Sequence, residues 1–185
     1  MNTLKIVVLS PIIAGMMGGC AATSSTTHSG DYAGQQARAI KSLSGDEIAS
    51  LLEGRGMGYA KAAELNSYPG PMHVLEHAKA LALSAEQETA TRNLMAMHKA
   101  QARHLGKELV DSERDLNQLF AARSIDVAAL ERQLGVIATR QAAVRGSHLR
   151  THLAQTALMT TAQIEKYTEI RGYQARRPHE TSMYD

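Results

Sequence analysis

Residues 83 to 87 read LSAEQ, and residues 159 to 163 read MTTAQ. Each stretch sets a hydroxyl residue three positions ahead of a glutamine: Ser84 before Gln87, and Thr160 before Gln163. In that arrangement the hydroxyl accepts a hydrogen bond from a backbone N–H in the first turn of a helix, and the amide returns to the cap's own N–H. Both stretches therefore predict helix starts. From the first, apolar residues recur at Leu94, Leu105, Leu109, Leu116 and Leu119, a single stripe on a helix ending near Ala122. Such a helix is roughly 57 Å long. After a break at residues 123–126, a second stripe carries Leu130, Leu134, Ile137, Val144 and His148, and that helix ends near Ala157. The second stretch then opens a final helix through Ile170. Working back from LSAEQ, shorter helices fit residues 46–52, 57–65 and 72–81.

Composition supports an all-α chain, a long antiparallel helical hairpin with shorter flanking helices. There is no Trp, one Phe and only four Pro, and no run of alternating β-branched residues. The net charge is +2, and removing residues 1–19 takes away only Lys5. So small a balance argues against a nucleic-acid partner.

The N-terminus reads as an export signal. One lysine precedes the apolar run from Ile6 to Met16, which has the length of a signal-peptide core and is too short to span a bilayer. Small residues, Gly18 and Gly19, then precede Cys20, the only cysteine. This resembles a bacterial lipobox, in which the thiol is acylated and the chain is cut before it. Acyl chains on Cys20 would hold the protein on a membrane, and Ala21 directly after it is what outer-membrane sorting looks like. Ordinary cleavage leaving a free thiol is the other reading. The expected organisation is a lipoprotein signal peptide at 1–19, a Ser/Thr/Gly-rich tether at 20–34, a helical domain at 35–173 and a disordered tail at 174–185.

Two histidine pairs stand out. Residues 69 to 77 read PGPMHVLEH, with His73 and His77 four apart, and residues 148 to 152 read HLRTH, with His148 and His152 at the same spacing. Residues four apart share one helix face, close enough to grip one metal ion. If the long helices fold back around residues 123 and 124, His98 lies opposite His148 and Leu94 opposite His152. Both pairs then approach the same end of the hairpin. Neutral imidazoles near one point suit Zn, Ni, Co or Cu. A hydrogen-bonded core histidine at His148, with His73 and His77 as surface groups beside a proline turn, would give the same pattern.

LSAEQ and MTTAQ resemble the two Leu-Thr-x-x-Gln signatures of the Spy/CpxP family of periplasmic proteins, with Ser84 for Thr in the first copy and Met159 for Leu in the second. The resemblance covers residues 72–173. It implies a four-helix hooked hairpin that dimerises into a cradle, and a role as an envelope-stress chaperone or, in a related branch, as a heavy-metal sensor or resistance protein. The nickel- and cobalt-sensing branch carries a His-x-x-x-His pair before the first signature, matched by His73 and His77. It carries a His four residues ahead of a Met before the second, matched by His148, with His152 in the Met position. That branch also uses a glutamate early in the first long helix, for which Glu88 is the nominee here. Apart from the resemblance, Met95 and Met159 lie near enough to offer thioethers to Cu(I), although Met in an Ala/Leu-rich helix is more often core filler.

No catalytic set emerges. HVLEH fits the inverted zinc-protease motif with Glu76 as base, but no downstream glutamate stands out as third ligand. The GRGMG run at residues 54–58 lacks the strand and the Lys-Ser/Thr ending of a phosphate loop. A series of basic groups from Lys99 to Arg150 lies beside the apolar stripes. The expectation is therefore a lipid-anchored, periplasm-facing homodimer that acts by binding, as an ATP-independent chaperone for unfolded clients that could also hold a divalent metal. The alternative is a heavy-metal sensor or buffer, working with a membrane signalling partner.

Overall fold

A computed structural model describes residues 31–174. The expected leader, Cys20, most of the tether and all of the tail beyond Gln174 lie outside the described residues. The chain divides into two units, residues 1–33 and 34–185; of the first, residues 31–33 form a turn. The second holds a short 3-10 turn, Gln35–Ala37, and six α-helices: α1 Gly45–Glu53, α2 Lys61–Glu64, α3 Pro71–Glu76, α4 Ala85–Ala121, α5 Val127–Ala157 and α6 Thr161–Ile170. Among the described residues there is no strand, and no helix is long and apolar enough to cross a membrane.

Helix starts follow the local chemistry. Ser84 Oγ accepts from Gln87 N at 3.1 Å, and Gln87 Oε1 accepts from Ser84 N at 3.0 Å. Thr160 and Gln163 repeat the reciprocal cap, and Ser44 with Glu47 forms a third at the start of α1. The two glutamines also clasp each other. Gln87 Nε2 donates to Gln163 Oε1 at 2.9 Å and Gln163 Nε2 donates to Gln87 Oε1 at 3.0 Å, while Gln87 Nε2 reaches the Leu158 carbonyl at 2.8 Å. The two signatures thus form one device that ties the start of α4 to the start of α6.

The hairpin closes through residues 122–126, where Arg123 takes a left-handed conformation and Asp126 caps α5. Its register sets Thr91 against Gln155, His98 against His148 and Glu108 against Arg140. One apolar cluster joins Ile40, Leu51, Leu109, Val110, Ile137 and Val144; a second joins Val74, Leu81 and Tyr167. α1 lies directly on α4 at Gly106, where a β-carbon would collide with the Leu51 carbonyl.

Two expected helices are shorter than their sequence pattern. The helix expected at 57–65 is reduced to α2, because Met57 and Gly58 both hold positive φ, 45° and 78°, and no α-helix passes through such residues. The helix expected at 72–81 stops at Glu76, and the chain continues in turns to a left-handed Ala82. Leu134, placed on the inner stripe of α5, is instead 48% exposed.

Candidate metal centre

His148 lies on α5 facing α4, and only 5% of it is exposed. Its Nδ1 is 3.1 Å from His98 Nε2, with the two rings edge to face. Tyr59 lies roughly parallel to the His148 ring, 5.8 Å between centroids. The remaining ring nitrogen, Nε2, is buried without a hydrogen-bond partner. A chain of acceptors decides what that nitrogen carries. Gln101 Oε1 can only accept, so the Ser147 hydroxyl donates to it at 3.3 Å and itself accepts from His98 Nδ1–H at 3.4 Å. His98 Nε2 then accepts from His148 Nδ1–H, which leaves His148 Nε2 as a bare lone pair.

Both rings are held neutral. Burial, then the neighbouring His98 and His152, lowers His148 to about 4; burial, then His152, also lowers His98.

Two more imidazoles are oriented in the same sense. His152 Nδ1 donates to the Tyr68 carbonyl at 2.8 Å, and its Nε2 edge sits where a β-carbon on Gly70 would fall. His73 Nδ1 donates to Glu76 Oε2 at 2.8 Å, a bond that lowers the Glu76 carboxyl. A histidine that spends Nδ1–H on a carbonyl or carboxylate presents Nε2 as its ligand atom, the usual outer-shell arrangement at metal sites.

His73, His98, His148 and His152 all line one partly open groove of about 910 Å³, together with Met57, Met72 and Met95. The groove lies between the segment from α1 to α3 and the paired helices α4 and α5. Glu64 lines it too: the carboxylate accepts from Tyr167 at 2.6 Å and lies 3.4 Å from Arg171 Nε, while its Oε2 is buried without a hydrogen-bond partner, 3.7 Å from His152 Nδ1.

The other nominated ligands lie elsewhere. His77 does not line the groove; it is the C-cap of α3, and its backbone N–H closes the last turn on the His73 carbonyl at 3.1 Å. Glu88 is bonded to Arg92 at 2.8 Å and is likewise absent from the groove. Met159 packs against the second apolar cluster. Among the described residues no three His, Cys, Asp or Glu side chains already surround one point as a metal would require. The donor chemistry fits a transition metal; the donors face one groove without being drawn together.

Sequence reasoning placed His98 opposite His148 but did not count it with the ligands. It left Glu64, Met57 and Met72 aside altogether, since they lie in loops and short helices without a periodic signal.

A long antiparallel hairpin clasped by two paired glutamines, with an imidazole-lined groove beside it, defines a small helical protein of the Spy/CpxP type. Over residues 56–166 the chain matches the family described as heavy-metal resistance, and it belongs to that family of Spy/CpxP-like heavy-metal resistance proteins. The match reaches back through the 54–58 loop region to residue 56, and so takes in Met57 and Glu64. No curated protein and no solved structure matches the chain.

Proposed function

We propose that this chain serves heavy-metal resistance by capturing a transition-metal ion in the histidine-lined groove, as a sensor or buffer, without catalysing a reaction. The observation that carries the reading is His148 Nε2, a buried ring nitrogen with no hydrogen-bond partner, in a groove that three further imidazoles line. Leaving a buried polar atom unpaired costs about 1–3 kcal/mol, and a metal ion would repay it. His148, His152 and His73 would hold the ion; bound there, it would draw the segment from α1 to α3 toward the hairpin.

In the same reading Cys20 is acylated, residues 20–34 tether the domain, and the protein faces the periplasm from the outer membrane as a homodimer. The N-terminal sequence supports export and anchoring, and membership of the Spy/CpxP-like family supports the dimer. A client-holding role remains a second reading, favoured by half-exposed or exposed Phe120, Val127, Leu134 and Val136 near the closed end of the hairpin.

The test is calorimetric titration of the full chain in detergent with Zn, Ni, Co and Cu(II), beside a His73→Ala/His148→Ala variant. We expect dissociation constants of about micromolar or tighter, weakened by about tenfold or more in the variant. Binding that the variant keeps, or none at all, would remove the groove from the account.

A further inference from the structure

We propose that the groove is a copper site, in which Met57, Met72 and Met95 supply thioether sulfur to Cu(I) beside the imidazoles of His148 and His152. This deepens the metal-capture reading and rests on it.

The placement of the methionines is the first argument. Of the five methionines in residues 31–174, three line this one groove. Met is ordinarily among the buried residues, yet Met57 is 42% exposed and Met72 54% exposed. They are therefore not filling the core, as Met159 does. Met97 is exposed too, outside the groove, and takes no part.

The loop that carries Met57 is the second. Met57 stands between Gly56 and Gly58 with φ 45°, a left-handed conformation that costs a non-glycine residue about 1–2 kcal/mol. Strain of this kind clusters where backbone geometry serves a ligand, and here it sets a long, flexible thioether at the groove.

Charge is the third. Arg55, Lys61, Lys99 and Arg103 line the groove against two carboxylates, Glu53 and Glu64. Glu53 is paired with Arg55, and Glu64 accepts from Tyr167 beside Arg171. Apart from Glu64 Oε2, which has no hydrogen-bond partner, the donors left are neutral, imidazole nitrogen and thioether sulfur, beside more basic than acidic groups. A monovalent ion meets half the repulsion of a divalent one there. Soft thioether donors select Cu(I), while imidazole serves Zn, Ni and copper alike.

The experiment is an anaerobic competition in which the full chain, in detergent, takes Cu(I) from its coloured bicinchoninate complex. The same titration is run on a Met57→Leu/Met72→Leu/Met95→Leu variant, whose side chains keep nearly the same volume. Helicity by circular dichroism and Ni binding by calorimetry are measured on both proteins. The expected result is that the wild-type chain strips Cu(I) from the chelator and the triple variant does so about tenfold or more weakly. Ni binding and helicity should stay unchanged, and copper X-ray absorption should show sulfur scattering only in the wild type. If the triple variant holds Cu(I) as well as the wild type, or if the wild type fails to compete while still binding Ni through His148, the copper assignment is overturned and metal capture stands. If the wild type binds neither ion, both fall.

Discussion

Position 148 shows how the fold prepares one imidazole. Burial removes its water, and a single neighbour, His98, takes its Nδ1–H. A free histidine takes up a proton near pH 6.5, whereas folded His148 resists until about 4, first because it is buried and then because His98 and His152 are close. Between those values the unfolded chain binds more protons than the folded one, so stability falls as the pH falls. The contribution is fully present above about 6.5 and is lost as the pH drops through the folded value near 4. Thermal unfolding of the metal-free chain should therefore show a melting temperature that declines between pH 6.5 and pH 4.5. In a His98→Gln/His148→Gln variant the slope across that window should flatten, whatever the variant's own stability. An equal slope in both proteins would show that these two rings do not set it.

The elements divide into those whose cause is local and those whose cause is not. Ser84 with Gln87 and Thr160 with Gln163 could be read directly, because a capping box is satisfied within four residues and needs no partner. The hairpin register was legible as well: long stripes on α4 and α5 leave few ways to face each other, and His98 opposite His148 follows. What the spacing did not reveal was the clasp between the two glutamines, which depends on α6 folding back over the start of α4. Histidine spacing alone did not show which of the α3 pair reaches the groove: His73 lines it, and His77, one turn on at the C-cap, does not. Met57 and Glu64 were invisible for a related reason: tertiary position, not period, brings them to the groove. The clasp makes a measurable claim. Replacing Gln87 or Gln163 by Ala should each cost about 1 kcal/mol from the lost hydrogen bonds to the cap backbone and across the clasp. In a double-mutant cycle by chemical denaturation the pair should couple by about 0.5 kcal/mol or more. Strict additivity would mean the side-chain exchange contributes nothing.

For the whole molecule, the proposed export and anchoring are separate from the groove and can fail separately. If Cys20 is acylated, the protein should sediment with membranes after cell fractionation and gain the mass of its acyl chains. The Cys20→Ala variant should lose both properties while keeping the affinity of the groove for metal. A soluble wild-type protein of unmodified mass would confine the account to the helical domain. α1 to α3 close one side of the groove, the hairpin closes the other, and the donors face inward without yet meeting.

The central claim is that His148 presents a bare Nε2 to a metal ion. Long-range proton–nitrogen NMR of the imidazole rings reads it directly, first on the metal-free full chain and then with Zn added. The account predicts a neutral His148 ring with its proton on Nδ1 at pH 7, and a change at the Nε2 resonance when Zn enters, with His152 and His73 responding in the same titration. A ring protonated at Nε2, or an Nε2 resonance that Zn leaves unmoved, would contradict it.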